Sequence, residues 1–313
     1  MADGAPAAGA RRCATLALAG LPNSGKSTLL NALVGEKLAA TSQVAQTTRG
    51  RILGVVERGP VQFLFLDTPG FHQPKHSLNE RMVHAIDTAL EEADLLLWVV
   101  DADGYLGAGE RAFAKRLKAL GRPVYLLLNK LDLLSKGRLL EKVALYKDLM
   151  DFHEIVPVSA KFATNLEPLW ALLERDAPEG EWHVGDGSFT DQTERSMASE
   201  FIREKVLRKT REEVPHGVAV EIARWLEDGD PGLEGENADV PEGGVFIGAD
   251  IIVERAGHRK ILLGSQGATI KDIRVSAQRE LKKLLQRPVK LELFVKVEEG
   301  WRDRPDKLDR LRL

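Results

Sequence analysis

The residues Gly20-Leu-Pro-Asn-Ser-Gly-Lys-Ser27 decide the fold, because they match the pattern G-x-x-x-x-G-K-[ST] of a phosphate-binding loop. The apolar residues 15–19 before them predict a short buried strand, and Lys26–Val34 after them has a helical pattern. The glycines let the chain curl so that backbone N–H groups point at a β-phosphate. An isolated match is also compatible with a glycine-rich turn before a lysine. Its place between a strand and a helix favours the nucleotide site, with Lys26 on the β- and γ-phosphates and the Ser27 hydroxyl on Mg²⁺.

The N-terminal residues permit a second interpretation. Arg11 and Arg12, followed by the apolar residues 13–20, also resemble a secretory signal peptide. Cleavage near Ala19 would cut into the phosphate loop, so the strand is the preferred interpretation. The tail over residues 1–12, rich in Ala and Gly, is predicted to be disordered.

Length and composition indicate a globular protein of two domains. The chain has 313 residues, which is long for a single core, and its 43% hydrophobic and 29% charged residues are ordinary proportions. The net charge of −3 gives no argument for nucleic-acid binding. Cys13 is the only cysteine, which excludes an internal disulfide or a cysteine-based metal site and fits a reducing cytoplasm. No apolar run approaches the roughly 18 residues that span a bilayer, and nothing indicates an obligate oligomer.

Alternating strand and helix patterns predict an α/β domain over residues 13–176, with a mixed, mostly parallel sheet covered on both faces. The predicted strands are 15–19, 51–57, 61–66, Leu95–Asp101, 124–128 and 155–158, and the predicted helices are Lys26–Val34, 78–92, 110–120 and 165–175. The turn at 57–60 indicates that strands 51–57 and 61–66 form an antiparallel hairpin. Ligands of such sheets bind at the carboxyl ends of the strands.

A linker is predicted at residues 177–193, before a second, α+β domain over 194–313. Its predicted elements are a helix at 194–211, strands at 218–226 and 245–254, a short helix ending near Gly264, a helix at Ala268–Leu285 and a strand at Val289–Val297. Between its first two strands lies an acidic loop, 227–242, with seven acidic residues and no basic ones.

Three further motifs follow predicted strands of the first domain. In Asp67-Thr-Pro-Gly70, Asp67 can hold Mg²⁺ through water and the Gly70 N–H can bind a γ-phosphate. In Asn129-Lys-Leu-Asp132, the Asp132 carboxylate can accept from the N1–H and 2-amino group that distinguish guanine from adenine, so the site would reject the wrong base. Asn129 can bind the other edge of the base or brace the phosphate loop. Ser159-Ala-Lys161 suits a backbone N–H contact with the guanine O6.

The predicted nucleotide-binding residues are Gly20, Leu21, Pro22, Asn23, Ser24, Gly25, Lys26, Ser27, Thr28, Asp67, Thr68, Pro69, Gly70, Phe71, Asn129, Lys130, Leu131, Asp132, Ser159, Ala160 and Lys161.

The order of these motifs resembles the GTPase family of the P-loop proteins. The resemblance implies a switch threonine in Gln46-Thr-Thr-Arg49; Thr48 is assigned as the Mg²⁺ ligand, with Thr47 as the close alternative. Lys26, Thr48 and Gly70 are the predicted catalytic residues. Many small GTPases orient the attacking water with a glutamine where Phe71 stands, so slow intrinsic turnover is expected. Asn23 either caps the loop or helps to bind K⁺, since an asparagine there often accompanies potassium-stimulated hydrolysis in the related family.

The loop Gly264-Ser-Gln-Gly267 joins two helical patterns in an α-β-β-α-α-β order, which is the arrangement of a type II KH domain that clamps single-stranded RNA. The segment between Arg255 and Lys290 contains ten basic and two acidic residues, an excess of eight positive charges that suits binding to nucleic acid. The solvent-exposed face of an amphipathic helix is the better explanation for Lys282, Lys283 and Arg287. The predicted RNA-binding residues are Arg259, Lys260, Gly264, Ser265, Gln266, Gly267 and Lys271.

A GTPase followed by a type II KH domain resembles the Era family of bacterial ribosome-biogenesis GTPases, within the TrmE-Era-like GTPases, over roughly residues 12–313. The stretches 197–205 and 295–301 carry the resemblance with the motifs above. It implies binding near the 3′ end of 16S ribosomal RNA, assistance in 30S subunit assembly, a cytoplasmic location, and peripheral membrane association in some members. The N-terminal tail, Ser24 in place of a frequent valine, and the acidic loop depart from the family pattern.

Two other functions compete with a GTPase switch that acts on RNA. An RNA-binding scaffold that holds GTP without turnover is compatible with Phe71. A P-loop kinase that uses ATP is disfavoured by Asn129 and Asp132.

Overall fold

The computed structural model describes residues 11–42, 44, 47–72, 76–185, 187–210, 214, 217–230 and 240–313. The chain forms two compact units: the first comprises Met1–Leu38, Thr48–Gln73 and Met82–Asp191, and the second comprises Ala39–Thr47, Pro74–Arg81 and Gln192–Leu313. Most of the predicted tail and residues 231–239 of the acidic loop lie outside the described residues.

The first unit is built on a six-stranded sheet in the order β2-β3-β1-β4-β5-β6. Its strands are β1 Arg12–Ala19, β2 Ile52–Arg58, β3 Val61–Asp67, β4 Leu95–Asp101, β5 Val124–Asn129 and β6 Glu154–Pro157. Only β2 runs antiparallel, in a hairpin with β3, so the predicted mixed, mostly parallel sheet and its hairpin are confirmed. β1 begins earlier than predicted, at Arg12, because the Arg12 N–H donates to the carbonyl of Pro60, 3.0 Å away.

Five helices accompany this sheet: α1 Lys26–Val34, α2 Ser77–Glu92, α3 Ala108–Leu120, α4 Lys136–Lys147 and α5 Leu166–Asp176. Their apolar faces bury the strands, which is why β4 is an uninterrupted apolar run. At the centre, Trp98 of β4 contacts Phe113 of α3 and Tyr146 of α4, each with ring centroids 5.7 Å apart. The sequence did not predict α4.

Residues 178–185 and 187–189 belong to the first unit. Cys13 N–H donates to the Pro178 carbonyl at 3.2 Å, and the side-chain oxygen of Gln62 accepts from the N–H groups of His183 and Val184 at 2.9 and 3.1 Å. Most of the predicted linker therefore belongs to the first unit, since buried Gln62 needs these partners.

The second unit has the elements α6 Glu194–Lys209, β7 Val218–Glu227, β8 Val245–Val253, α7 Ala256–Leu263, α8 Ala268–Leu285, β9 Val289–Val297 and α9 Pro305–Arg310. β8 pairs antiparallel with β7 and parallel with β9. The α-β-β-α-α-β order through β9 confirms the predicted KH fold. The added α9 is held by Lys307, whose ammonium contacts Glu221 and Glu298 at 3.0 and 2.8 Å.

Two short segments that were predicted within the first domain belong to the second unit. Ala40 lies in the core of that unit, and the Thr47 carbonyl accepts a hydrogen bond from Arg203 of α6. The Ser77 N–H, at the start of α2, donates to the Asp303 carboxylate at 3.1 Å. Local sequence patterns do not reveal such long-range partners. Within the described part of the chain, none of the helices has the length and apolarity needed to cross a bilayer.

Candidate functional site

The phosphate loop connects β1 to α1 and needs both of its glycines. A Cβ at Gly20 would lie 2.2 Å from the Val99 carbonyl oxygen, and one at Gly25 would lie 2.2 Å from the Asn129 side-chain nitrogen. Asn23, with a φ of 62°, and Gly25, with a φ of 95°, adopt left-handed backbone conformations. The loop is thus curled tightly against the ends of β4 and β5, as a phosphate cradle requires.

Lys26 is buried beneath this loop. Its ammonium donates to the carbonyl oxygens of Gly20 and Leu21 at 3.2 and 3.0 Å. Burial lowers the pKa of Lys26 to about 8, and the nearby Asp67 carboxylate partly opposes the shift. A phosphate group would give the buried ammonium an anionic partner at close range.

The three predicted magnesium ligands converge. The hydroxyl oxygens of Ser27 and Thr48 are 2.7 Å apart, and they lie 2.6 and 3.4 Å from Oδ2 of Asp67. Burial raises the pKa of Asp67 to about 6, against the opposing effects of Lys26 and of hydrogen bonds from Ser27 and Thr48. Asp67 Oδ1 is buried and accepts no hydrogen bond from the described residues. Mg²⁺ prefers oxygen ligands and usually keeps water, so this donor set fits it.

Thr47 and Thr48 have different surroundings. Thr48 is buried at the cluster just described, whereas the Thr47 hydroxyl donates to the carbonyl of Val44 at 2.8 Å. The geometry therefore favours Thr48 over Thr47 as the metal ligand.

Asn129 connects the phosphate loop with the residues that follow β6. Its amide nitrogen donates to the Ser24 carbonyl at 2.8 Å, and its oxygen accepts from the Ala160 N–H at 3.0 Å. Of the two roles predicted for Asn129, bracing the phosphate loop is the one that these contacts perform. The Ala160 N–H is engaged by Asn129 here rather than left open for the guanine O6.

Asp132 is exposed on the short 3-10 helix Leu131–Leu133 after β5. Ser159 donates to Asp132 Oδ1 at 2.5 Å, which fixes the carboxylate. Lys130, in a left-handed conformation with a φ of 64°, forms an ion pair with Asp101 at 2.5 Å. The sequence motifs did not identify Asp101 as a site residue. The strand register pairs it with Asn129.

The residues around Gly70 approach the phosphate loop closely. A Cβ at Gly70 would lie 2.7 Å from Pro22, and the Phe71 N–H donates to the Gly20 carbonyl at 3.0 Å. The Phe71 ring packs against Phe113, with centroids 5.1 Å apart. The contact of Phe71 with the phosphate loop is thus made by its backbone N–H.

Two further predicted nucleotide-binding residues, Thr68 and Ser24, have buried hydroxyls with different surroundings. The Thr68 hydroxyl is buried and donates to the Leu18 carbonyl at 2.9 Å, so it braces the turn after β3. The Ser24 hydroxyl is buried and has no hydrogen-bond partner within the described residues. His72, for which the sequence predicts no role, contacts the Gly70 carbonyl through Nδ1 at 2.7 Å.

The G-x-x-G loop of the second unit joins α7 to α8. Gly264 has a φ of 69°, and a Cβ there would lie 2.2 Å from the Thr269 hydroxyl, so a glycine is required. Ser265 and Gln266 are exposed, as a loop that approaches a backbone of phosphates needs. Arg259, Lys260 and Lys271 are also exposed and form no ion pair with any described carboxylate.

Arg287 does not contribute to a free positive surface. It pairs with Glu194 at 2.5 Å and Glu227 at 3.1 Å. One of the ten basic residues counted between Arg255 and Lys290 is therefore neutralised by neighbouring carboxylates.

Comparisons with known proteins agree with both units. The family described as "50S ribosome-binding GTPase" matches residues 15–130, and the KH domain family matches residues 213–302. GTPase Era of Heliobacterium modesticaldum is 44% identical over 297 residues, which cover 95% of each chain. GTPase Era of Geobacter metallireducens is 42% identical over 93% of this chain and 94% of its own.

Solved structures extend the likeness to the whole fold. A crystal structure of Era with MgGDPNP and nucleotides 1506–1542 of 16S ribosomal RNA has a TM-score of 0.88 and 37% identity, covering 96% of this chain and 98% of its own. A variant of Aquifex aeolicus Era bound to GDP and AlF4⁻ has a TM-score of 0.87, the same identity and the same coverage. With its GTPase motifs, its KH unit and relatives that match almost its full length, the chain belongs to the Era family of GTPases.

Proposed function

We propose that this chain is a GTP-binding and GTP-hydrolysing switch that binds 16S ribosomal RNA near its 3′ end and assists assembly of the 30S subunit. The observation that carries the nucleotide half is the convergence of Ser27, Thr48 and Asp67 beside buried Lys26. Hydroxyls, a carboxylate and an ammonium in one place are the parts that bind a magnesium triphosphate.

The first unit would bind the phosphates through the backbone of the loop and through Lys26, which offsets negative charge on the β- and γ-phosphates. Ser27 and Thr48 would hold Mg²⁺ directly and Asp67 through water; the ion supplies charge neutralisation on the phosphates. The Gly70 N–H would donate to the γ-phosphate. The γ-phosphate and Mg²⁺ would hold the segment that contains Thr48, so hydrolysis would release that segment.

Base selection would rest on Asp132. Its carboxylate, oriented by Ser159, can accept from two adjacent guanine donors that adenine lacks. Adenine would leave this carboxylate facing the base without donors, so the wrong base would bind weakly. This feature argues against the ATP-dependent kinase.

The second unit would bind RNA at the G-x-x-G loop. Support comes from the exposed Ser265 and Gln266 and from the related Era that was solved with 16S nucleotides. Further support comes from three cations that pair with no described carboxylate, namely Arg259, Lys260 and Lys271. The backbone of the loop would clamp the RNA while the cations neutralise its phosphates.

Asn23 is also proposed to help seat K⁺ near the phosphates. Its left-handed backbone, with a φ of 62°, is compatible with both this role and that of a loop cap. A cytoplasmic location, with peripheral association at the cytoplasmic face of the inner membrane, is proposed on the family resemblance and is tested by fractionation of cells.

Phosphate release from GTP tests the enzymatic proposal. We expect Mg²⁺-dependent release from GTP and none from ATP, with K⁺ and Na⁺ compared in parallel. GTP binding without release in either salt would support the RNA-binding scaffold instead. ATP recovered from the denatured, purified protein would favour the kinase.

Binding to a 3′-terminal fragment of 16S ribosomal RNA tests the second half of the proposal. We expect retention of this fragment on filters in preference to an RNA of equal length from elsewhere in the molecule. Equal retention of the two would reduce the second unit to a nonspecific RNA-binding module.

A further inference from the structure

The peptide between Gly70 and Phe71 is held from two sides. Its N–H, which belongs to Phe71, donates to the Gly20 carbonyl of the phosphate loop at 3.0 Å. Its carbonyl, which belongs to Gly70, lies 2.7 Å from Nδ1 of His72. The orientation of this peptide sets the direction of the chain at Gly70, whose own N–H is proposed to bind the γ-phosphate.

The chemistry of the contact fixes the proton on His72. A carbonyl oxygen only accepts hydrogen bonds, so Nδ1 must carry a proton and donate it. The other ring nitrogen, Nε2, is buried and has no partner among the described residues. Burying an unsatisfied nitrogen costs free energy that an aliphatic side chain would avoid, so packing alone does not explain a histidine at this position.

The neighbouring side chain cannot perform the same task. The Phe71 ring packs against Phe113, and the Arg116 guanidinium lies 5.7 Å from its centre. Phe71 is thereby turned into the core of the first unit. His72 is the first polar side chain after Gly70, and it returns to contact that residue.

We propose that His72 is a positioning residue for the γ-phosphate: its Nδ1–H holds the Gly70–Phe71 peptide so that the Gly70 N–H stays directed at the terminal phosphate of GTP. This inference rests on the proposed GTPase function. It makes His72 a determinant of the difference between GTP and GDP, because GDP has no γ-phosphate for Gly70 to bind.

Binding and turnover measured on His72 variants test the proposal. His72→Ala removes the donor, whereas His72→Asn places an amide N–H near the position of Nδ1. We expect His72→Ala to weaken binding of GDPNP and to slow single-turnover GTP hydrolysis, each by roughly tenfold, the effect of one lost hydrogen bond of ordinary strength. GDP affinity should stay within about twofold, and His72→Asn should recover most of both losses. His84→Ala, on the exposed side of α2, is the matched control and should change nothing.

Three results would overturn the proposal. In the first, His72→Ala binds GDPNP and hydrolyses GTP like the wild type. In the second, it loses affinity for GDP and GDPNP equally, which would make His72 a support of the whole loop. In the third, His72→Asn is as impaired as His72→Ala, which would exclude the Nδ1–H as the acting group. A wild-type protein without hydrolysis would refute the proposed GTPase instead, while the comparison of GDPNP with GDP would still test His72.

Discussion

Asp132→Asn should invert the base preference of the nucleotide site. Asp132 is exposed and accepts a hydrogen bond from the hydroxyl of Ser159 at 2.5 Å. A hydroxyl both donates and accepts, so Ser159 can also hold the amide of an asparagine in the same place. The substitution therefore changes the face that meets the base while it leaves the local structure intact.

The size of the effect follows from the hydrogen bonds that the carboxylate would make. Each hydrogen bond to a charged acceptor contributes about 1.5–3 kcal/mol. The amide that replaces the carboxylate keeps one acceptor oxygen and turns its NH₂ toward the guanine 2-amino group. One of the two hydrogen bonds from guanine is therefore lost, and the other now has a neutral acceptor. We expect a loss of about 3 kcal/mol, equivalent to roughly hundredfold weaker GDP binding. Xanthine has a carbonyl in place of the 2-amino group, so the amide can donate to it and the affinity for XDP rises.

Competition of GDP and XDP against a fluorescent nucleotide measures both affinities. Asp151→Asn, in an exposed position between α4 and β6, is the matched control and should bind like the wild type. The melting temperature of the Asp132→Asn variant should hardly change, because substitutions at exposed positions usually alter stability by less than about 0.5 kcal/mol. A variant that still prefers GDP to XDP would show that Asp132 does not recognise the base.

Three further outcomes are expected. Thr48→Ala should weaken Mg²⁺-dependent GTP binding about tenfold in a Mg²⁺ titration, whereas Thr47→Ala should not; equal losses would contradict the assignment of Thr48. Hydrolysis should be faster in potassium than in sodium, and Asn23→Ala should remove the difference; equal wild-type rates would leave Asn23 as a loop cap. Replacing Ser265 and Gln266 together by Asp should lower RNA affinity at least about tenfold without altering the melting temperature, because charges beside phosphates lie well inside the ~8 Å screening length. Unaltered retention of RNA on filters would move the RNA site away from this loop.

Strong periodic patterns account for the parts of the fold that the sequence predicts well. β4, α1, α8 and β9 have the predicted bounds. α4 was missed because Leu140 and Leu145, which are 72% and 47% exposed, interrupt the apolar face that Leu139, Val143 and Tyr146 form. α9 has six residues, too few for a period to show, and it depends on the distant Glu221 and Glu298.

In the candidate site, too, the sequence predicts some residues and leaves others to be found in the structure. Motifs identify residues whose chemistry is local, such as Lys26 and Asp132. Contacts between distant parts of the chain carry no local pattern. Examples are Lys130 with Asp101, and residues 178–185 and 187–189 with β1, β2 and β3. The hydrogen bond from His72 to Gly70 spans only two residues, but it became apparent only from the conformation of the loop.

The pKa values of Asp67 and Lys26 depend on burial, which the motifs alone do not reveal. Burial raises the pKa of the acid to about 6 and lowers that of the base to about 8, so both charges are held at a cost in the absence of ligand. Asp67 Oδ1 has no partner among the described residues to offset this cost. A magnesium nucleotide brings an anion to Lys26 and a cation to Asp67, and anything that binds only the folded state stabilises it. The buried charges thus favour binding of the ligand and lower the stability of the ligand-free protein. This property arises from burial, so it depends on the fold rather than on the motifs.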